Sequence, residues 1–297
     1  MQRYRGRFAP SPTGPLHFGS LVAALASFLD ARAHDGEWLV RIEDVDTPRA
    51  VPGAADDIVR TLDACGMHWD GTVVHQSARH EAYDHALHEL RRQQKVYGCA
   101  CSRREIADSG IAGIEGYVYP GTCRRGLTGH RSARAWRVRT NNAVIAFDDA
   151  VQGRVERDLE KEIGDFVLYR ADGMYAYQLA VVVDDEAQGI THVVRGADLL
   201  DSTPRQIYLQ QLLGYSTPAY AHVPVAVNAL GQKLSKQTLA AAVDPAHIAA
   251  ALVSALRFLG HDPPAALAHA NVTEIQEWAI RNWRLERVPR VRAQSMS

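Results

Sequence analysis

Residues 7–30 read RFAPSPTGPLHFGSLVAALASFLD. Three prolines and two glycines crowd the first half of this stretch. Leu21, Val22, Leu25, Phe28 and Leu29 then recur at helical spacing. The run GRFAP before the prolines predicts a short strand, and Ser20 is the expected N-cap of the helix. After the HDG punctuation, EWLVRIE at 37–43 alternates and carries Trp, Val and Ile, which predicts a second strand. Strand, helix and strand within about forty residues make a βαβ unit, and hence a parallel sheet in an α/β fold. Such sheets bind ligands outside the carboxyl ends of their strands. The HFGS corner stands there, at the start of a helix. A helix N-terminus offers unpaired N–H groups and partial positive charge, which suit a phosphate. His17 can donate a hydrogen bond to a phosphoryl oxygen, and Gly19 lets a flat group approach the backbone. Neither GxGxxG nor GxxxxGK[ST] occurs, so the common phosphate loops are excluded.

Composition sets the frame. The chain has 297 residues, 46% hydrophobic and 23% charged, with a net charge of −1. These values predict a soluble globular protein. The N-terminus lacks an apolar signal region and no apolar run is long enough to span a membrane, so a cytoplasmic protein with no membrane partner is expected. The average charge hides an asymmetry. From Arg91 to Arg139 there are eleven Lys or Arg against three acids, a net of +8. That stretch can bind phosphates although the whole chain is nearly neutral, with Arg124 and Arg125 as candidate RNA contacts.

Further along, residues 80–95 predict a helix, and the pattern then collapses into Cys, Gly, Pro and Arg from Gly98 to about Arg131. This reads as an inserted module. Regular pattern returns at WRVRT. YAYQLAVVVDD predicts an apolar strand or a buried helix end, and THVVRG a strand. STPRQIYLQQLLG predicts a helix closed by Gly214, and AHIAAALVSALRFLG and TEIQEWAIRNW predict two more. In the module, Cys99 and Cys101 form C-x-C, and Cys123 follows about twenty residues later. Three thiolates can fill three tetrahedral positions on zinc, and the residues alone leave the fourth open between Tyr119 and His130. Cys65 lies outside this cluster and reads as a helix-end thiol.

Downstream, residues 231–236 read GQKLSK. Lys233 and Lys236 could bracket a polyphosphate and neutralise charge on leaving pyrophosphate. HFGS and KLSK, more than two hundred residues apart in one α/β chain, resemble the two signatures of class I aminoacyl-tRNA synthetases. RFAPSPTGPLHFGS, RIEDVDTPR, YQLAVVVDD, ITHVVRGADLLDSTPRQIYL and KLSK follow the glutamyl-tRNA synthetase catalytic core in order, over residues 3 to about 237. Ser20 replaces the last His of the first signature, and Gln237 the last Ser of the second.

The resemblance implies a Rossmann-like catalytic domain in two parts, 1–95 and 141–240, split by a zinc-binding insertion at 96–140 that contacts tRNA, with a short helical region at 241–297 and no anticodon-binding domain. About sixty residues follow Gln237, which resembles the short paralogues of glutamyl-tRNA synthetase. Those enzymes place glutamate on queuosine at the anticodon wobble position of tRNA(Asp). The resemblance implies ATP, L-glutamate and queuosine-containing tRNA(Asp) as partners, Mg²⁺ carried with ATP, structural Zn²⁺ with Tyr119 as fourth ligand, and a monomer. Phe8, Ala9, Pro10 and Ser11 would hold the amino acid, with Arg7 on a substrate carboxylate, Glu43 on the α-ammonium, and Tyr177 and Arg195 completing the pocket. An anionic amino acid needs cationic partners and one carboxylate, and Arg suits bidentate pairing. His17, Gly19, Ser20, Lys233 and Lys236 would carry catalysis, with His17, Gly19 and Lys236 on ATP. Two other readings share these motifs: a minimal enzyme charging the tRNA 3′ end, and a non-catalytic glutamate or tRNA sensor. Retention of His17, Gly19, Glu43, Lys233 and Lys236 argues against the sensor.

Overall fold

A computed structural model describes residues 3–109, 111–114, 116–228 and 242–295. The chain opens with β1 (Arg5–Phe8), α1 (Phe18–Ala33) and β2 (Glu37–Ile42), and β1 and β2 pair in parallel. The predicted βαβ unit is therefore present. α1 is capped three residues earlier than expected. Its N-cap is His17, whose Nδ1 accepts the Ser20 N–H at 3.3 Å. The imidazole supplies the acceptor usually drawn from a hydroxyl, which puts Ser20 inside the helix.

α2 (Ala54–Ala64) leads to β3 (Val74–His75), which pairs in parallel with β2. Cys65 is the buried C-cap of α2, as its sequence context suggested. α3 (His80–Arg92) precedes β4 (Val96–Cys99), α4 (Arg103–Ser109), the small antiparallel pair β5 (Ile111–Gly113) and β6 (Gly116–Val118), and β7 (Ala135–Val138). β8 (Val144–Asp149) and β9 (Gly153–Asp158) form a hairpin, followed by α5 (Leu159–Glu162) and β10 (Val167–Tyr169). β7 pairs antiparallel with both β4 and β10.

YQLAVVVDD is helical: it lies in α6 (Tyr177–Ala187). Residues Leu179 to Val183 are buried at consecutive positions, so the helix is enclosed on all sides and shows no amphipathic period. β11 (His192–Gly196), α7 (Thr203–Leu213) and β12 (Ala219–Val223) follow, with β11 and β12 parallel. Pro204 sits in the first turn of α7, and Gly214 closes it at φ 72°, a left-handed cap that favours Gly. β13 (Val225–Val227), α8 (Ile248–Phe258), α9 (Val272–Asn282) and β14 (Ala293–Ser295) complete the described chain. β14 pairs with β13, so the C-terminal region contributes a strand as well as helices.

Two bonds join the sheets where β1 meets β11. The Thr191 N–H donates to the Arg5 carbonyl at 2.9 Å, and the Arg5 N–H donates to Thr191 Oγ1 at 2.8 Å. The parallel strands thus run in the order β3, β2, β1, β11, β12, with the order reversing between β1 and β11. A ligand crevice belongs at such a reversal. One apolar core packs α1, β1 and β2 with α8 and α9: Leu21, Leu25 and Trp38 share it with Leu252, Leu256 and Ile275. Each such side chain contributes about 1.5–3 kcal/mol when fully buried. A second core lies around α3, α6 and α7, and a third, small one gathers Tyr97, Cys99, Tyr119 and Cys123. No described helix is long and apolar enough to cross a membrane.

Candidate active site

A cavity of about 470 Å³ opens at the carboxyl ends of β1, β11 and β12. Phe8, Ala9, Pro10 and Ser11 line it, as do Arg7, His17, Gly19, Ser20, Tyr177 and Arg195. The structure brings these ten expected residues together. The β1 end is tied to the β2 end by the Glu43 N–H, which donates to the Pro10 carbonyl at 2.9 Å. The first turn of α1 faces the cavity and holds no acidic residue, so nothing there repels an anion.

Lys233 and Lys236 lie outside the described residues. The described chain on either side reaches the same cavity. Val225 lines it, and Ala242 pairs with His17, where the Val243 N–H donates to the Leu16 carbonyl at 2.8 Å.

The two arginines of the cavity differ in their surroundings. Arg7 donates from Nε and Nη2 to Asp185, at 3.3 and 3.4 Å. Asp185 also accepts from Arg41 Nη2 at 2.8 Å, and that same nitrogen lies 3.4 Å from Glu43. Asp184 joins the network from Arg79, Tyr83 and Gln76. Burial alone would raise both Asp185 and Glu43. For Asp185 the pull of Arg7 and Arg41 wins, and the carboxyl is held below its ordinary range. For Glu43 burial wins over Arg41 and Arg7, and the group is pushed up to about 7.

Arg195 is buried too, at 5% exposure. Its partners are neutral. Nη2 donates to Thr203 Oγ1 at 2.8 Å and to Gln206 Oε1 at 2.9 Å, and Nε donates to His222 Nε2 at 3.0 Å. Nη1 lies 3.4 Å from the Tyr177 hydroxyl. Among the described residues no carboxylate stands within ion-pair distance of this guanidinium. A buried cation without an anion is costly unless a ligand supplies one.

Sequence reading missed Arg41, Asp149, Asp185 and His222. The DD doublet ending an apolar run was a usable signal, since carboxylates in an enclosed helix need partners.

A second cavity, about 640 Å³, shares Ser11 and Tyr177 with the first. Arg49, Arg103, Arg134, Arg137, Arg170 and Arg205 line it together with Glu43 and Cys101. Part of the basic stretch is already committed. Arg124 bonds Glu160 at 2.7 Å and pairs with Asp165 at 3.0 Å, while Arg91 and Arg139 lie over the Trp136 and Tyr97 rings. Arg124, expected as an RNA contact, is thus engaged by Glu160 and Asp165, while Arg125 is exposed.

Cys99, Cys101 and Cys123 place their sulfurs within 4.8 Å of one another. The Tyr119 hydroxyl is 3.4 Å from the Cys99 sulfur and 3.6 Å from that of Cys101, and Cys101 and Cys123 are 3.6 Å apart. Tetrahedral zinc ligands about 2.3 Å from the ion stand roughly 3.7 Å from each other, which matches these separations. His130 is exposed and is not among the groups converging there.

Comparison with known proteins agrees with this geometry. Residues 3–280 match the family described as tRNA synthetases class I (E and Q), catalytic domain. A protein from Dechloromonas aromatica (strain RCB), named glutamyl-Q tRNA(Asp) synthetase, is 63% identical over 289 residues, covering 97% of this chain and 96% of the relative. A protein of the same name from Chromobacterium violaceum is 56% identical over 286 residues, covering 96% and 95%. Among solved structures, a glutamate-tRNA synthetase from Elizabethkingia anophelis superposes with a TM-score of 0.81 at 25% identity, covering all of this chain and 68% of that one. The catalytic domain expected from HFGS and the ordered motifs is present, and the chain is a ligase that belongs to the glutamyl-Q tRNA(Asp) synthetases within the class I glutamyl and glutaminyl tRNA synthetase family.

Proposed function

We propose that the enzyme activates glutamate with ATP to glutamyl-adenylate and transfers the glutamyl group to queuosine at the wobble position of tRNA(Asp). The observation that carries the first step is Arg195, a buried guanidinium whose described partners are all neutral. A substrate carboxylate supplies the missing charge. Tyr177 stands beside it, and Glu43 offers the carboxylate that an α-ammonium requires. Asp185 already engages Arg7 through two nitrogens, so Arg7 meets the substrate with its remaining donors.

A glutamate carboxylate oxygen attacks the α-phosphorus of ATP in line, and pyrophosphate leaves. His17 and the α1 N-terminus favour the charge that develops, and Lys233 and Lys236 act on the polyphosphate. Mg²⁺ accompanies ATP. The acceptor hydroxyl then attacks the acyl carbon of the mixed anhydride, and AMP leaves. Positioning and electrostatics carry both steps. The arginine-lined second cavity, which shares Ser11 and Tyr177 with the first, suits an RNA hairpin. Queuosine carries a cyclopentene diol, which stands in for the vicinal hydroxyls of a terminal ribose. Its attachment here follows the names of the relatives.

The donor set of three thiols and one phenol fits zinc, and the ion would fasten the insertion. Metal analysis should find one zinc per chain, lost in Cys101→Ser; a metal-free protein of full stability contradicts this.

The acceptor test uses an anticodon stem-loop of tRNA(Asp) without a CCA end, carrying queuosine or guanine at the wobble position, with labelled glutamate. Label on the queuosine hairpin alone is expected. Label only on RNA with an intact CCA end, whatever its wobble base, selects 3′ charging instead.

A further inference from the structure

Arg195 is held from behind. His222, in β12, has a fully enclosed side chain, as does Asp149 at the end of β8. His222 Nδ1 lies 2.6 Å from Asp149 Oδ2, and its Nε2 lies 3.0 Å from Arg195 Nε. The other oxygen of Asp149 accepts the N–H groups of Val151, Gln152 and His222, at 3.0, 2.8 and 3.0 Å. These donors and His222 hold the carboxylate ionised although burial opposes it. An ionised carboxylate only accepts, so the proton of this contact sits on His222 Nδ1. A neutral imidazole has one N–H, which leaves Nε2 with a lone pair. Arg195 Nε can only donate, and it meets that lone pair. Burial keeps the ring neutral against the pull of Asp149, with its pKa down to about 4. Thr203 Oγ1 also stands 3.1 Å from Nε2 and can donate to the same lone pair, whereas the opposite tautomer would turn Nε2–H toward Thr203 Oγ1 and set it against the Arg195 Nε–H at 3.0 Å.

We propose that Asp149 and His222 are a positioning relay for the activation step: Asp149 fixes the tautomer of His222, and His222 then holds the Nε edge of Arg195 so that its Nη1 edge faces the amino-acid cavity. Thr203 and Gln206 hold the Nη2 side, so three of the guanidinium's directions are fixed by acceptors that bring no competing full charge into contact. The charge of Arg195 stays available to a ligand, while Asp149 is kept one imidazole away from it. The two residues touch no substrate in this scheme, which rests on the reading that Arg195 binds a carboxylate of glutamate.

Asp149→Asn tests the relay. The amide keeps an acceptor for the backbone N–H groups but donates toward Nδ1, forcing the proton to Nε2, where it opposes Arg195. In ATP–pyrophosphate exchange, the KM for glutamate should rise by about tenfold or more, with the KM for ATP within about twofold of the parent. Heteronuclear NMR of ¹⁵N-histidine-labelled enzyme should show His222 as Nδ1–H in the parent and Nε2–H in the variant. A glutamine at 222 has a carbonyl acceptor and no tautomer, so adding His222→Gln to Asp149→Asn should recover part of the glutamate KM. A parent enzyme with His222 protonated on Nε2, or a flipped tautomer that leaves the glutamate KM unchanged, overturns the relay. Should Asp149→Asn fail to fold, His222→Ala replaces it, and an unchanged glutamate KM there overturns the proposal equally. Arg195→Met, which removes the charge as well, separates the two ideas. If it leaves the glutamate KM unchanged, the carboxylate reading itself fails; if it raises that KM and Asp149→Asn does not, only the relay fails.

Discussion

The two sides of the amino-acid cavity solve the problem of buried charge in opposite ways. Around Arg7, cations and carboxylates alternate: Arg7, Arg41 and Arg79 meet Asp184, Asp185 and Glu43. Around Arg195, the described groups in contact are a hydroxyl, an amide, a phenol, a backbone carbonyl and a neutral imidazole. The first side is internally balanced and can stand empty at little electrostatic cost. On the second, no carboxylate among the described residues is in contact with the guanidinium. The difference is what the proposed function uses to select and orient an anionic amino acid. On the proposed reading, Glu43, which lines the adjoining cavity and is pushed toward neutrality, is recharged by a ligand ammonium, and Arg195 takes a ligand carboxylate.

The largest effect should come from breaking the balanced side. Asp185→Leu leaves Arg7 without its carboxylate and takes one of the anions from fully buried Arg41. An orphaned buried charge costs about 3–5 kcal/mol. For a chain of this size that is a fall of very roughly 6–15 °C in Tm. Arg195→Met should cost clearly less stability, because it orphans no carboxylate among the described residues, while it abolishes glutamate-dependent exchange. Equal thermal losses in the two variants would erase the distinction between the sides.

A smaller effect is expected from pH. Glu43 has a raised pKa in the folded protein, so its contribution to stability is fully present below its unfolded value, the usual carboxylate range, and is lost as pH rises through about 7. Glutamate binding moves the other way, since an α-ammonium needs the ionised form. The glutamate KM should therefore fall as pH rises toward and through 7, with roughly a tenfold higher value at pH 6 than on the plateau. Glu43→Gln should remove this dependence. A flat KM profile between pH 6 and 8 in the parent enzyme would place the ammonium elsewhere.

Much of the fold was legible because local rules agreed with the tertiary structure. β1, α1 and β2 follow from period and punctuation, and α7 from Pro204 and Gly214. α6 was ambiguous because Val181, Val182 and Val183 favour strands, and burial on every face removes the helical period. Ser20 was given the cap of α1 by residue type, and the ring of His17 took that place. In the cavity, residues that touch its space carry motif signals, as Arg7, Tyr177 and Arg195 do. Residues that act through them do not. Arg41 occupies an ordinary-looking position in an alternating strand, and His222 sits in AYAHVPV with nothing to mark it. Their roles depend on which element lies behind which, and only the fold supplies that.

The central claim is that, among the described residues, no carboxylate meets the Arg195 guanidinium, which leaves it to a ligand carboxylate. ATP–pyrophosphate exchange by the full-length enzyme, with glutamate and with glutamine at equal concentration, tests it most directly. The two amino acids differ by one carboxylate against one amide. Meeting a buried guanidinium with an amide forfeits the charge pairing, so exchange with glutamate should exceed that with glutamine by on the order of 10²-fold or more in kcat/KM. Comparable exchange with both amino acids would contradict the account.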